Sequence, residues 1–104
     1  MLLAVLAWAA PAFGHAAYVG SEPAPGQRLE RSPARVVLVF TEPLNERLAG
    51  ATLRPVAGGS PIRASVAVQD GKRLVLTPSG ELATGAYRVD WHTVSTEDLS
   101  LIHI

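Results

Sequence analysis

The sequence predicts an all-β domain built as a β-sandwich and preceded by a secretory signal peptide. Apolar residues alternate at period two in short runs, and Pro, Gly, Asp and Ser separate those runs. No stretch sustains a helical period and no internal repeat is visible. Several short strands at this spacing must cover their apolar faces with a second sheet, which is the sandwich solution.

The opening segment, Met1 to Gly14, contains an uninterrupted apolar run from Leu2 to Trp8 and ends on Ala12-Phe13-Gly14, with small residues three and one before a cut after Gly14. That is how a secretory signal peptide ends, although no Lys or Arg precedes the run. A membrane anchor needs about 20 apolar residues, whereas this pattern breaks at Pro11 and turns polar soon after Tyr18. Cleavage after Gly14 divides the chain into a signal peptide, 1–14, and a mature domain, 15–104. A cut after Ala16 also satisfies the small-residue rule and would remove His15.

In the mature part, Ser21 to Gly26, with Pro23 and Pro25, reads as an extended loop. Arg35 to Phe40 reads as a strand with Val36, Leu38 and Phe40 on one face. Pro43 stops it, because proline cannot donate to a central ladder. Ala51 to Val56 is a second strand. Ser65 to Val68 and Lys72 to Leu76 form a hairpin across Gln69-Asp70-Gly71, where Asp-Gly supplies the positive-φ positions of a tight turn. After Gly85, Tyr87, Val89 and Trp91 alternate with Arg88 and Asp90, so both aromatic rings belong to the core. His92, one residue after Trp91, then points to solvent.

Composition narrows the function. The chain has 104 residues, so removal of the leader leaves about 90, enough for one small domain. Nine basic residues balance nine acidic ones and the arginines are dispersed, which gives no electrostatic reason to expect nucleic acid or an anionic membrane as partner. The absence of cysteine excludes zinc-thiolate, thiol-nucleophile and iron-sulfur chemistry. The single methionine, Met1, would leave with the signal peptide, which removes a thioether site for Cu(I). No Ser-His-Asp triad, glycine-rich phosphate loop or paired-carboxylate motif can be argued.

His15 stands out against this background. As the first residue of a processed chain it would offer a free α-amine and an imidazole to one metal ion, and neutral nitrogen donors in a plane suit Cu(II).

Several segments, in order, carry a family resemblance: His15-Ala16-Ala17-Tyr18, Ser21-Glu22-Pro23-Ala24-Pro25-Gly26, Val37-Leu38-Val39-Phe40-Thr41-Glu42-Pro43, Leu82 to Trp91, and Val94-Ser95. Together they resemble the CopC family of periplasmic copper-binding proteins, over His15 to Asp98. The resemblance implies an immunoglobulin-like Greek-key β-sandwich, a cupredoxin-type barrel. It also implies one Cu(II) bound by the mature N-terminal histidine with its amine, together with an Asp and a His from an Asp-x-His motif. Carried over by position, the first ligand falls on His15 and the aspartate on Asp98. The third position holds Ser100 in Asp98-Leu99-Ser100, and the family's closing strand has no counterpart in Leu101-Ile102-His103-Ile104. A sandwich without that strand is expected to expose a sheet edge.

Two further residues are candidate donors. His103 lies five residues beyond Asp98, a spacing that puts the two side chains on opposite sides of an extended segment unless the chain turns; a frayed terminal residue is the alternative. Glu42, beside the Pro43 turn, is either an oxygen donor, a partner that orients an imidazole, or a solvated carboxylate.

The expected function is that of a non-enzymatic periplasmic Cu(II) protein for copper storage, resistance or delivery. An inner-membrane copper transporter of the CopD type is its expected partner, and the mature domain is not itself membrane-spanning. The alternatives are the soluble domain of a CopC-CopD-type membrane transporter, a copper-dependent oxidase with an N-terminal histidine brace, and a metal-free immunoglobulin-like interaction module. Amine and imidazole ligands must lose protons to bind metal, so copper affinity should fall as pH drops below neutral. A titration with no pH dependence would count against them. The abrupt loss of register after Asp98 predicts a break in reading frame or assembly at that point. A full-length clone carrying the same terminal codons would overturn it.

Overall fold

The computed structural model of the chain describes residues 4–8, 17–94 and 101–102, with side chains over 17–93. These residues form nine strands: β1 (Ala4–Trp8), β2 (Tyr18–Glu22), β3 (Arg28–Leu29), β4 (Val36–Phe40), β5 (Gly50–Pro55), β6 (Ala64–Gln69), β7 (Arg73–Pro78), β8 (Gly85–Val94) and β9 (Leu101–Ile102). One sheet has the order β3-β1-β8-β5, with β9 also pairing β8; the other runs β2-β4-β7-β6. The architecture is the all-β sandwich that the alternating pattern predicts, in the Greek-key form that the resemblance implies, with no helix among the described residues. Among the described residues no helix is long and apolar enough to cross a membrane.

The core follows from the alternation. Val36, Leu38 and Phe40 on β4 face Leu74 and Leu76 on β7, and Leu53, Tyr87, Val89 and Trp91 meet them from the other sheet. Val37 and Val39 point the other way and are only half-buried. Burying each large apolar side chain contributes about 1.5–3 kcal/mol. Val75 departs from the pattern: it lies on the outer side of β7 yet is only 4% exposed. Its cross-strand neighbours are Val37 and Ala67, so three apolar residues line up across three strands.

The hairpin forms as the Asp-Gly signal predicts. Asp70 has φ 52° and Gly71 φ 74°, and β6 pairs β7 from Gln69↔Arg73 to Ala64↔Pro78. Backbone bonds then tie this turn to the end of β4: Phe40 N donates to Lys72 O at 2.9 Å and Leu44 N to Gly71 O at 2.7 Å. The hydroxyl of Tyr87 donates to the carbonyl of Ala83 at 2.5 Å. A buried tyrosine bonded to backbone a few residues upstream is the corner device of immunoglobulin-like sandwiches.

Three expectations change. Ser21 and Glu22 are not loop but the end of β2, because the strand bulges between Tyr18 and Gly20 and then pairs Leu38 and Val37. The second strand lies one residue earlier than predicted, at Gly50–Pro55, leaving Val56 outside it and 57% exposed. The β8 edge is not left open: β1 pairs Gly85–Val89 and β9 pairs Thr93 and Val94.

Leu38→Ala should cost about 2–5 kcal/mol, since Leu38 is fully buried between the sheets and truncation leaves a cavity there. Chemical denaturation should show a lower midpoint with an unchanged slope. Val37→Ala, on the outer face of the same strand, should cost clearly less.

Candidate metal centre

Three aromatic rings close one end of the sandwich. Trp91 packs edge-on against Phe40 at 5.0 Å between centroids and lies 5.8 Å from Tyr18; Tyr18 and Phe40 are 6.1 Å apart. They come from β8, β4 and β2, so both sheets contribute. The residues flanking the rings in sequence are thereby gathered at the same end.

Ala17, just before Tyr18, is fastened to Thr41, just after Phe40. Thr41 N donates to Ala17 O at 2.9 Å, and Ala17 N donates to Thr41 Oγ1 at 3.2 Å. Glu42 is the next residue and is half-buried. This pair of bonds holds the chain two residues after His15 against the turn that carries Glu42. His15, Asp98 and His103 themselves lie outside the described residues.

His92 is exposed, on the solvent face of β8, as alternation after Trp91 requires. It pairs with Gly50, and its ring lies over that glycine so closely that a Cβ there would sit 2.6 Å from His92 Cε1. Asp90 shares the solvent face but is already engaged. Arg88 Nε approaches one of its oxygens at 2.8 Å, and Arg54 Nε the other at 3.2 Å. Arg88 Nη2 adds a hydrogen bond of 3.1 Å. Asp90 is therefore a surface ion-pair partner and not a second donor beside His92. Among the described residues no group of three or more His, Cys, Asp or Glu side chains could hold a metal ion.

Thr93, on the core side of β8, is fully buried, and its Oγ1 has no hydrogen-bond partner among the described residues. Such a polar atom is costly unless paired. Its inward direction is legible from its place two residues after Trp91. The Ala17–Thr41 fastening and the Gly50–His92 contact carry no sequence signal, because they depend on which strands become neighbours. An apolar groove lined by Pro55, Ile62, Leu82 and Tyr87 lies at the beginning of β8 and takes no part in this site.

Similarity to known proteins is consistent throughout. The copper resistance protein C of Pseudomonas syringae pv. tomato is 36% identical over 104 residues, covering 93% of this chain and 78% of the relative. Its counterpart from Xanthomonas campestris pv. juglandis is 38% identical, covering 93% of this chain and 80% of the relative. Among solved structures, PcoC, a methionine-rich copper resistance protein from Escherichia coli, superimposes with a TM-score of 0.67 at 30% identity, covering 81% of this chain and 87% of that one. CopC from Methylosinus trichosporium OB3b shares the fold, with a TM-score of 0.72 at 22% identity over 81% of this chain and 82% of that one. A family model described as the CopC domain matches residues 18–100, and with that match the chain belongs to the CopC family.

Proposed function

We propose that the chain, processed after Gly14, binds one Cu(II) ion at the end of the sandwich where β2 begins and β8 ends, and that it stores copper or hands it on in the periplasm. The relatives are named for copper resistance, and none of those names denotes catalysis.

The observation that supports this site is the pair of hydrogen bonds between Ala17 and Thr41. Each extended residue spans at most about 3.3–3.6 Å, so His15 stays within about 7 Å of Ala17 and Asp98 within about 14 Å of Val94. These tethers are short enough for His15 and Asp98 to meet one copper ion at that end of the sandwich. His15 would supply its amine and imidazole and Asp98 a carboxylate. Glu42 would add an oxygen or orient the imidazole. Nitrogen and oxygen donors suit Cu(II), and a chain with one methionine cannot build the thioether site that Cu(I) prefers. In this respect it differs from the methionine-rich PcoC. With Ser100 in place of a third ligand, copper should be held weakly enough to exchange, and a CopD-type inner-membrane transporter is the proposed recipient.

Spectroscopic titration of the protein beginning at His15 should show one Cu(II) per chain. An additional alanine before His15 removes the α-amine from the chelate and should lower affinity at least tenfold, about 1.4 kcal/mol. Asp98→Asn should also weaken binding, and His103→Ala should leave it unchanged. Equal affinity with and without the extra residue would overturn the site.

A further inference from the structure

The outer face of the sheet β2-β4-β7-β6 carries a small depression that neither the core nor the proposed copper site uses. Its volume is about 320 Å³, and Glu22, Arg35, Val37, Val39 and Arg73 line it. Strand register explains the grouping. Glu22 on β2 is the cross-strand partner of Val37, and Arg73 on β7 is that of Val39, so the two signs of charge stand on opposite sides of β4 with valine between them. Arg35, immediately before β4, shares the face of Val37 by alternation. Val37 and Val39 form an apolar floor, and Val75, opposite Val37 on β7, extends it. On the β2 side Val39 meets Gly20, where a Cβ would find nothing within 4 Å, so the floor is open there. Among the described residues Glu22, Arg35 and Arg73 form no ion pair.

We propose that this depression binds a small aliphatic amino-carboxylate, a free amino acid of the leucine or valine type, as its zwitterion. The ligand's carboxylate meets the guanidinium groups of Arg35 and Arg73, its ammonium group meets the carboxylate of Glu22, and its aliphatic body rests on Val37 and Val39. Each lining residue then has a partner. Guanidinium forks match the geometry of a carboxylate, and such charge-assisted hydrogen bonds are stronger than neutral ones. A simple anion would satisfy the arginines but face Glu22, and a simple cation would do the reverse. A ligand that carries both charges satisfies all three groups. Small-molecule pockets run from about 300 to 1,000 Å³, and a depression at the lower end of that range suits a ligand of amino-acid size. Its floor is shallow and its charged groups are exposed, so binding is weak, with a Kd of the order of 1 mM.

The test is an NMR titration of the isotope-labelled, metal-free full chain with L-leucine. Saturable shifts should concentrate on Gly20, Glu22, Arg35, Val37, Val39 and Arg73. Isocaproate lacks the ammonium group, isoamylamine lacks the carboxylate and glycine lacks the aliphatic body. Each should bind about tenfold more weakly than leucine, the loss expected when one charged contact or the apolar contact is removed. Glu22→Gln should weaken leucine about tenfold and leave isocaproate no weaker than before. The double variant Arg35→Gln/Arg73→Gln should weaken both leucine and isocaproate by at least about tenfold and leave isoamylamine unchanged. All three substituted side chains are exposed, so the fold should persist, and the ligand series on the unaltered chain stands without them. Shifts that do not saturate or that centre on another face would overturn the site. So would equal affinity for leucine, isocaproate and isoamylamine, or leucine binding undiminished in the double variant. No metal is present in these measurements, so the copper site can fail independently.

Discussion

The contact of Trp91 with Phe40 and Tyr18 is the interaction on which the rest of the molecule depends. Trp91 stands on one sheet and the other two rings on its partner, so the cluster fixes how the sheets sit against each other at that end. Edge-on aromatic pairs add about 0.5–1.5 kcal/mol beyond the area they bury, and they restrict the angle between their elements. The described residues around the proposed centre are sequence neighbours of these rings: Ala17 precedes Tyr18, and Thr41 and Glu42 follow Phe40. A packing interaction thus determines where polar groups meet.

Without cysteine the domain has no covalent staple, and its order comes from the apolar faces of β4, β7 and β8 together with a few well-placed polar bonds. The Asp70-Gly71 turn sets the register of β6 on β7, and its backbone bonds to Phe40 and Leu44 carry that register to β4. On the outer face of the other sheet, the carboxylate of Asp90 lies between Arg54 and Arg88. Exposed pairs of this kind contribute at most about 1 kcal/mol, so their effect is to neutralise the face more than to stabilise it.

β8 combines three roles along ten residues. Its inward side chains form the core, its far end leads toward Asp98, and its early edge receives Ala4–Trp8. A strand so placed joins the core to both of its neighbours in the sheet, β1 and β5.

Much was legible from sequence because burial imposes a period of two on strands. The inward set on β4, the inward Tyr87 and Trp91, the outward His92 and the Asp-Gly hairpin could all be read in this way, and the ordered motifs from His15 to Asp98 marked the family. The end of β2 was hidden because Pro23 and Pro25 mask a strand that exists only through pairing with Val37 and Leu38. What the sequence by itself determined is therefore the direction of the side chains along β4 and β8, and the nitrogen and oxygen character of the candidate donors. Only the tertiary structure decided which residues meet: Ala17 with Thr41, Gly50 with His92, and Ala4–Trp8 with β8. Those contacts join positions far apart in the chain, and nothing in local periodicity encodes which strands become neighbours.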